Sequence, residues 1–186
     1  MKVKLLTEAF ILLDKEGPEG VTIRAVARAA GVSHAAPANH FADLKHLLTE
    51  MAQQIFDAYL ATVDAYPVQD AKDRARAYLI GLYDYAILHP ARYDLLWRKD
   101  LVDWENPSFY RKLEEAYRDF LGVLDSATKQ SGSGVSDVET LGTAAWSMIH
   151  GFVVMRSTGI FESRTDAVTG KPRVDAMLDL LLGTKG

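Results

Sequence analysis

Cysteine is absent from this 186-residue chain. That excludes disulfides, thiolate metal sites and a cysteine nucleophile, and it agrees with a reducing, cytoplasmic setting. Long apolar runs are missing too: no segment approaches the roughly 20 residues of a membrane span, and no apolar stretch follows a basic one at the amino terminus. The signatures of metal and nucleotide chemistry do not occur. There is no HExxH, no GxSxG, no Walker A loop and no GxGxxG after a strand. His34, His40 and His46 recur every six residues, which turns them to different faces of any helix. No metal, no cofactor and no enzymatic activity are expected. The strict alternation of apolar and polar residues that marks a half-buried strand is also wanting.

Basic charge is scarce, with 21 Lys/Arg against 25 Asp/Glu and a net charge of -4. Residues 1 to 48 hold six Lys/Arg and five Asp/Glu, or +1, which leaves 15 against 20, or -5, for the rest. This balance argues against wholesale binding to polyanions, although the amino-terminal quarter is the least acidic part.

What is present is an ordinary globular composition, 48% apolar and 25% charged, organised almost entirely at helical spacing. Leu5, Leu6, Ala9, Phe10, Leu12 and Leu13 place an apolar face on a first helix that stops at EGPEG, residues 16 to 20. Thr22 caps a second helix through Ile23, Val26, Ala27 and Ala30, and Gly31 supplies a permissive backbone for a sharp turn. Ser33, or alternatively His34, caps a short third helix reaching about Phe41. Asp43 caps a long fourth helix carrying Leu44, Leu47, Leu48, Met51, Ile55, Phe56 and Tyr59. Further helices are expected over 70–88, 91–97, 106–129, 136–159 and 174–182. The fold class is therefore all-α: an amino-terminal three-helix helix-turn-helix domain over 1–45 and a helical bundle over 46–186.

The stretch LLTEAFILLDKEGPEGVTIRAVARAAGVSHAAPANHFADLKHLLTEM, residues 5 to 51, resembles the DNA-binding domain of the TetR/AcrR family of transcriptional regulators. The matching pieces are Ala9 and Leu13, the Gly17 and Gly20 loop, Thr22 with Arg24, Val26-Ala27, Ala30 through Ser33, His40-Phe41 and Leu47-Leu48. The rest of the chain is similar to the variable ligand-binding and dimerisation body of that family, and Trp146, His150 and Gly151 resemble a Trp-His-Gly signature of one branch. The resemblance implies a homodimeric repressor on palindromic double-stranded operator DNA, released by a small apolar or aromatic effector.

Thr22, Arg24, Ser33, His34, Ala35, Ala36, Asn39, His40 and Lys45 are the expected DNA-binding residues. Helix starts favour phosphate, arginine and lysine meet the DNA backbone, alanine reads a thymine methyl and asparagine pairs with adenine. The family usually has tyrosine where Ala38 stands and often lysine where Leu44 stands. The alternative function is accordingly a dimeric ligand-binding or interaction module with a weakened DNA reader. The expected effector pocket draws on Tyr83, Tyr93, Trp97, Trp104, Phe109, Tyr117, Trp146 and His150. The expected dimer interface uses Leu141, Ala145, Met148, Phe152, Leu178 and Leu181.

Overall fold

The computed structural model describes residues 1–131, 137–162 and 164–183. Among them are eight α-helices: α1 Lys2–Glu16, α2 Ile23–Ala29, α3 Leu44–Ala65, α4 Ala71–Leu88, α5 Pro90–Trp97, α6 Pro107–Ser131, α7 Val138–Ser157 and α8 Arg173–Leu182. The only β pairing among the described residues is an isolated bridge between Thr165 and Pro172. Part of SGSG (131–134) and the expected helix start at Ser136 lie outside the described residues. The helix that follows is capped by Asp137, whose carboxylate accepts the N–H groups of Glu139 at 3.1 Å and Thr140 at 3.2 Å.

The chain divides into two compact units, Met1–Ala58 with Leu88–Lys112, and Tyr59–Ile87 with Leu113–Gly186. In the first, α1 buries Leu5, Leu6, Ala9 and Leu13, residues spaced to fall on one helical face. The helix stops at Gly17, whose φ of 74° suits only glycine comfortably. The α5 helix ties back to α1 through Arg92, which donates from Nε and Nη2 to the two carboxylate oxygens of Asp14 at 2.8 and 2.6 Å. The same guanidinium lies 5.0 Å from the centre of the Phe10 ring. Such a two-point contact fixes orientation as well as distance.

A second tie joins α3 to the start of α6. Thr49, only 2% exposed, donates to the Lys45 carbonyl at 2.7 Å and accepts the Asp103 N–H at 2.9 Å. Gln53 donates to Ser108 Oγ at 3.0 Å, and Asn106 caps α6 by accepting the N–H groups of Ser108 and Phe109.

In the second unit, Gly81 of α4 faces Val63 of α3 so closely that an added Cβ would sit 3.1 Å from Val63 Cγ2 and 3.5 Å from its Cα. Glycine here costs helix propensity and gains close helix approach. Arg76 pairs with Asp175 at 2.5 Å and Asp179 at 2.8 Å, holding α8 to α4. Trp146 lies edge-on to Phe120 and Tyr59, with ring centres 5.5 and 6.4 Å away. Among the described residues no helix is long and apolar enough to cross a membrane, and no group of three or more His, Asp or Glu gathers as metal ligands would.

Candidate nucleic-acid interface

The α2 helix begins where the sequence predicts: Thr22 Oγ1 accepts the Ala25 N–H at 3.1 Å, a cap contributing about 1 kcal/mol. Its end is equally defined. Gly31 adopts φ 65°, the Gly31 N–H donates to the Arg28 carbonyl at 3.1 Å and the Val32 N–H to the Ala27 carbonyl at 3.0 Å. These two bonds form a Schellman closure, and they place the residue after the glycine at a sharp corner. Val32 is half-buried there.

The third helix differs from expectation. No α-helix starts at Ser33 or His34; a single 3-10 turn spans Ala36–Asn39, with Ala35 at its N-cap and no side-chain cap. Pro37 is the cause. An α-helix from Ser33 would need an N–H on Pro37 to reach the Ser33 carbonyl, and proline has none. The Ala36 N–H takes that carbonyl instead at 3.0 Å, which tightens the turn to three-residue spacing. Ser33 therefore caps nothing with its side chain. The Pro37 carbonyl in turn accepts both the His40 and Phe41 N–H groups at 2.9 Å, closing the segment.

Two residues of this segment are sunk into the core, Pro37 and Phe41, the latter 2% exposed. The Phe41 ring meets those of His40 and His46 edge-on, and the Lys2 ammonium lies 5.7 Å from its centre. Ser33, His34, Ala35, Ala38 and Asn39 stand exposed, and Ala36 and His40 are half-buried. Exposed Arg24 on α2 and exposed Lys45 at the start of α3 flank them in sequence. At the far side Asp43 Oδ1 accepts the His46 N–H at 2.7 Å, starting α3 where expected.

The residues expected to line an effector pocket divide between the two units. In the first unit Tyr93, Trp97, Trp104 and Phe109 form one chain of ring contacts, with centres 5.8, 5.7 and 6.3 Å apart. Burial holds the Tyr93 phenol well above its ordinary pKa. The Trp104 indole N–H is buried without a hydrogen-bond partner among the described residues, a feature its residue type does not reveal. In the second unit Tyr117 and Trp146 meet at Phe120, Tyr83 stacks on Phe152, and burial lowers the pKa of half-buried His150.

Of the expected dimer residues, Ala145, Phe152 and Leu178 are buried within the chain itself, with exposures of 0%, 6% and 0%. Their side chains belong to this chain's own core. Leu141, Met148 and Leu181 are half-buried, while Val154, Met155 and Leu180 on the same two helices face solvent.

Comparison with known proteins supplies the context for this geometry. Residues 5–51 match the family model for bacterial regulatory proteins of the tetR family, and residues 75–181 match the tetracyclin repressor-like C-terminal domain. An uncharacterised HTH-type transcriptional regulator of Mycobacterium tuberculosis is 29% identical over 164 residues, spanning 86% of this chain and 72% of the relative. A protein of unknown function from Rhodococcus sp. RHA1 shares the fold with a TM-score of 0.79 at 23% identity, over 98% of this chain and 93% of its own. A TetR family transcriptional regulator from Thermus thermophilus does so with a TM-score of 0.69 at 20% identity, over 97% of each chain.

Proposed function

Because the chain belongs to the TetR family of DNA-binding transcriptional regulators, we propose that it is a repressor whose amino-terminal residues 1–45 read a palindromic operator as a homodimer. The observation that carries this reading is the segment between Gly31 and Asp43. Its ends are fixed by a Schellman closure and an Asp cap, and it is sunk into the core only through Pro37 and Phe41. Its exposed face is small and polar, so the backbone can come close to base edges in the major groove. In this reading Asn39 pairs with adenine, Ala35 and Ala36 meet thymine methyls, and His34 and His40 line the groove. Arg24, Lys45, Thr22 and Ser33 set position on phosphate.

Dimerisation runs through α7 and α8 on Leu141, Met148 and Leu181, together with solvent-facing Leu180 and Met155. A small apolar or aromatic effector in the helical body favours a conformation with wrongly spaced reading heads. It shifts that balance only by its differential affinity for the two states.

One observation favours a second reading, a ligand-binding or interaction module with a weakened reader. No lysine or arginine occurs from Ala29 to Leu44, and exposed Ala38 offers no hydroxyl to a phosphate. Selection of binders from random duplex DNA, followed by salt titration, separates the two. A palindrome whose affinity falls steeply with salt supports the repressor; no enrichment even at low salt leaves the module.

A further inference from the structure

A cavity of about 160 Å³ opens beside the loop that joins α7 to α8 in the second unit. Its floor is aromatic: Tyr83 and Phe152 stack with ring centres 5.7 Å apart and planes 22° from parallel. Its rim includes two exposed arginines, Arg164 and Arg173. Backbone pairing holds these arginines side by side, because the Thr165–Pro172 bridge lies just inside them and the Arg173 N–H donates to the Arg164 carbonyl at 3.1 Å. The loop beyond is closed by the Asp166 N–H, which donates to the Lys171 carbonyl at 2.8 Å.

Two like charges directly opposite on one rung repel each other, and the surroundings neutralise them incompletely. Arg164 reaches one oxygen of Glu162, an exposed partner two residues away, at 2.7 and 3.0 Å. Arg173 makes no ion pair within 4.0 Å among the described residues, although Asp166 feels its charge at longer range. The first turn of α8, where Val174 lines the cavity, has no side-chain cap on its N–H groups. Two exposed arginines beside a stacked aromatic pair suit a ligand that is anionic at one end and flat and apolar at the other. The size narrows it further, since a cavity of about 150 Å³ is known to hold benzene.

We infer that this cavity binds a small aromatic monocarboxylate of benzoate size, its ring on Tyr83 and Phe152 and its carboxylate on Arg173 and Arg164. The inference rests on the reading of the helical body as effector-binding and gives that effector a place and a class; because none of its residues lies in 1–45, its failure leaves the DNA-reading proposal standing.

The test titrates the full chain by calorimetry with benzoate, with benzamide as the neutral isostere, and with acetate as the charge without the ring. Benzoate should saturate one site, with benzamide and acetate at least about tenfold weaker, as expected for loss of a charge-assisted pair or of the ring contact. Arg173→Gln should weaken benzoate by about tenfold or more. Glu162→Gln, which releases Arg164, should leave binding equal or tighter. If Arg173→Gln lowers the melting temperature, Arg173→Lys provides the same test, because it keeps the charge and loses the fork.

The inference is overturned if benzamide binds as tightly as benzoate, or if acetate matches benzoate and the site holds only an adventitious ion. It is also overturned if an Arg164→Gln, Arg173→Gln double variant retains full benzoate affinity, or if these substitutions weaken self-association and not benzoate binding.

Discussion

Asp43 and His46 cap opposite sides of one junction: Asp43 Oδ1 accepts the His46 N–H, while His46 Nδ1 accepts the Ala42 N–H at 3.2 Å. The contact is a variant of the reciprocal capping box. Asp43→Ala should lower unfolding free energy by about 1 kcal/mol in urea melts, with faster amide exchange at His46. His46→Ala should speed exchange at Ala42 in the same way. Unchanged exchange at both amides would show that the pair does not hold the junction.

Asn39→Ala and Arg24→Ala should separate the two kinds of DNA contact. The first is expected to relax sequence preference at one base pair in each half-site, about 1–3 kcal/mol of discrimination. The second should weaken all duplexes alike and reduce the salt dependence by about one phosphate contact. Repeating the duplex selection with Asn39→Ala and recovering an unchanged preferred sequence would refute the adenine assignment.

Thr49→Val keeps shape and removes both the bond within α3 to the Lys45 carbonyl and the bond that ties α3 to the segment before α6. The Asp103 N–H then loses its acceptor, at a cost of about 1–3 kcal/mol. Thr49→Ser, which retains the hydroxyl, should recover most of that loss. Equal melts for the two variants would refute the hydrogen-bond account.

Burial lowers the pKa of His150, so its linkage to folding runs in a fixed direction. With the folded value below the ordinary value of about 6.5, the unfolded chain takes up the proton first as pH falls. The group's contribution is complete above about pH 6.5 and is lost as pH drops through the lowered folded value. His89, lowered by burial and then by the neighbouring Arg92 charge, acts in the same sense. Denaturant midpoints measured from pH 7.5 down to 5 should fall less steeply for His150→Gln than for the parent.

Gly31→Ala meets no steric obstacle, since an added Cβ would find nothing within 4 Å. The φ of 65° is nevertheless unfavourable for alanine, so the expected cost is about 1 kcal/mol in melts. Gly122→Ala is the control: its Cβ would also find open space, but the site lies inside α6, where alanine gains helix propensity and should stabilise.

Helix boundaries were legible in the sequence wherever one residue acts on its own neighbours. Thr22, Asp43, Asn106 and Gly17 each work through hydrogen bonds or dihedrals confined to a single turn. The 3-10 turn was not legible, because Pro37 fixes only which bond is missing. The cap that results is Ala35, whose side chain carries no capping signal. Apolar spacing in α7 and α8 likewise identifies a buried face without saying what buries it. Ala145 and Leu178 proved to be covered by their own chain. The aromatic residues were visible by type, but the meeting of Trp146 with Phe120 and of Tyr83 with Phe152 arises from contacts between elements far apart in sequence.

The segment from Ser33 to Phe41 keeps its backbone bonds to itself: the N–H groups of Ala36, Ala38, His40 and Phe41 all end on carbonyls of Ser33, Ala35 or Pro37. It behaves as a cassette, anchored by Pro37 and Phe41 and bounded by glycine and aspartate. New residues at 34, 35, 38 and 39 can therefore be installed without rebuilding a helix, and under the proposed reading a lineage, or a designer, rewrites the address of this regulator that way while its scaffold stays as it is.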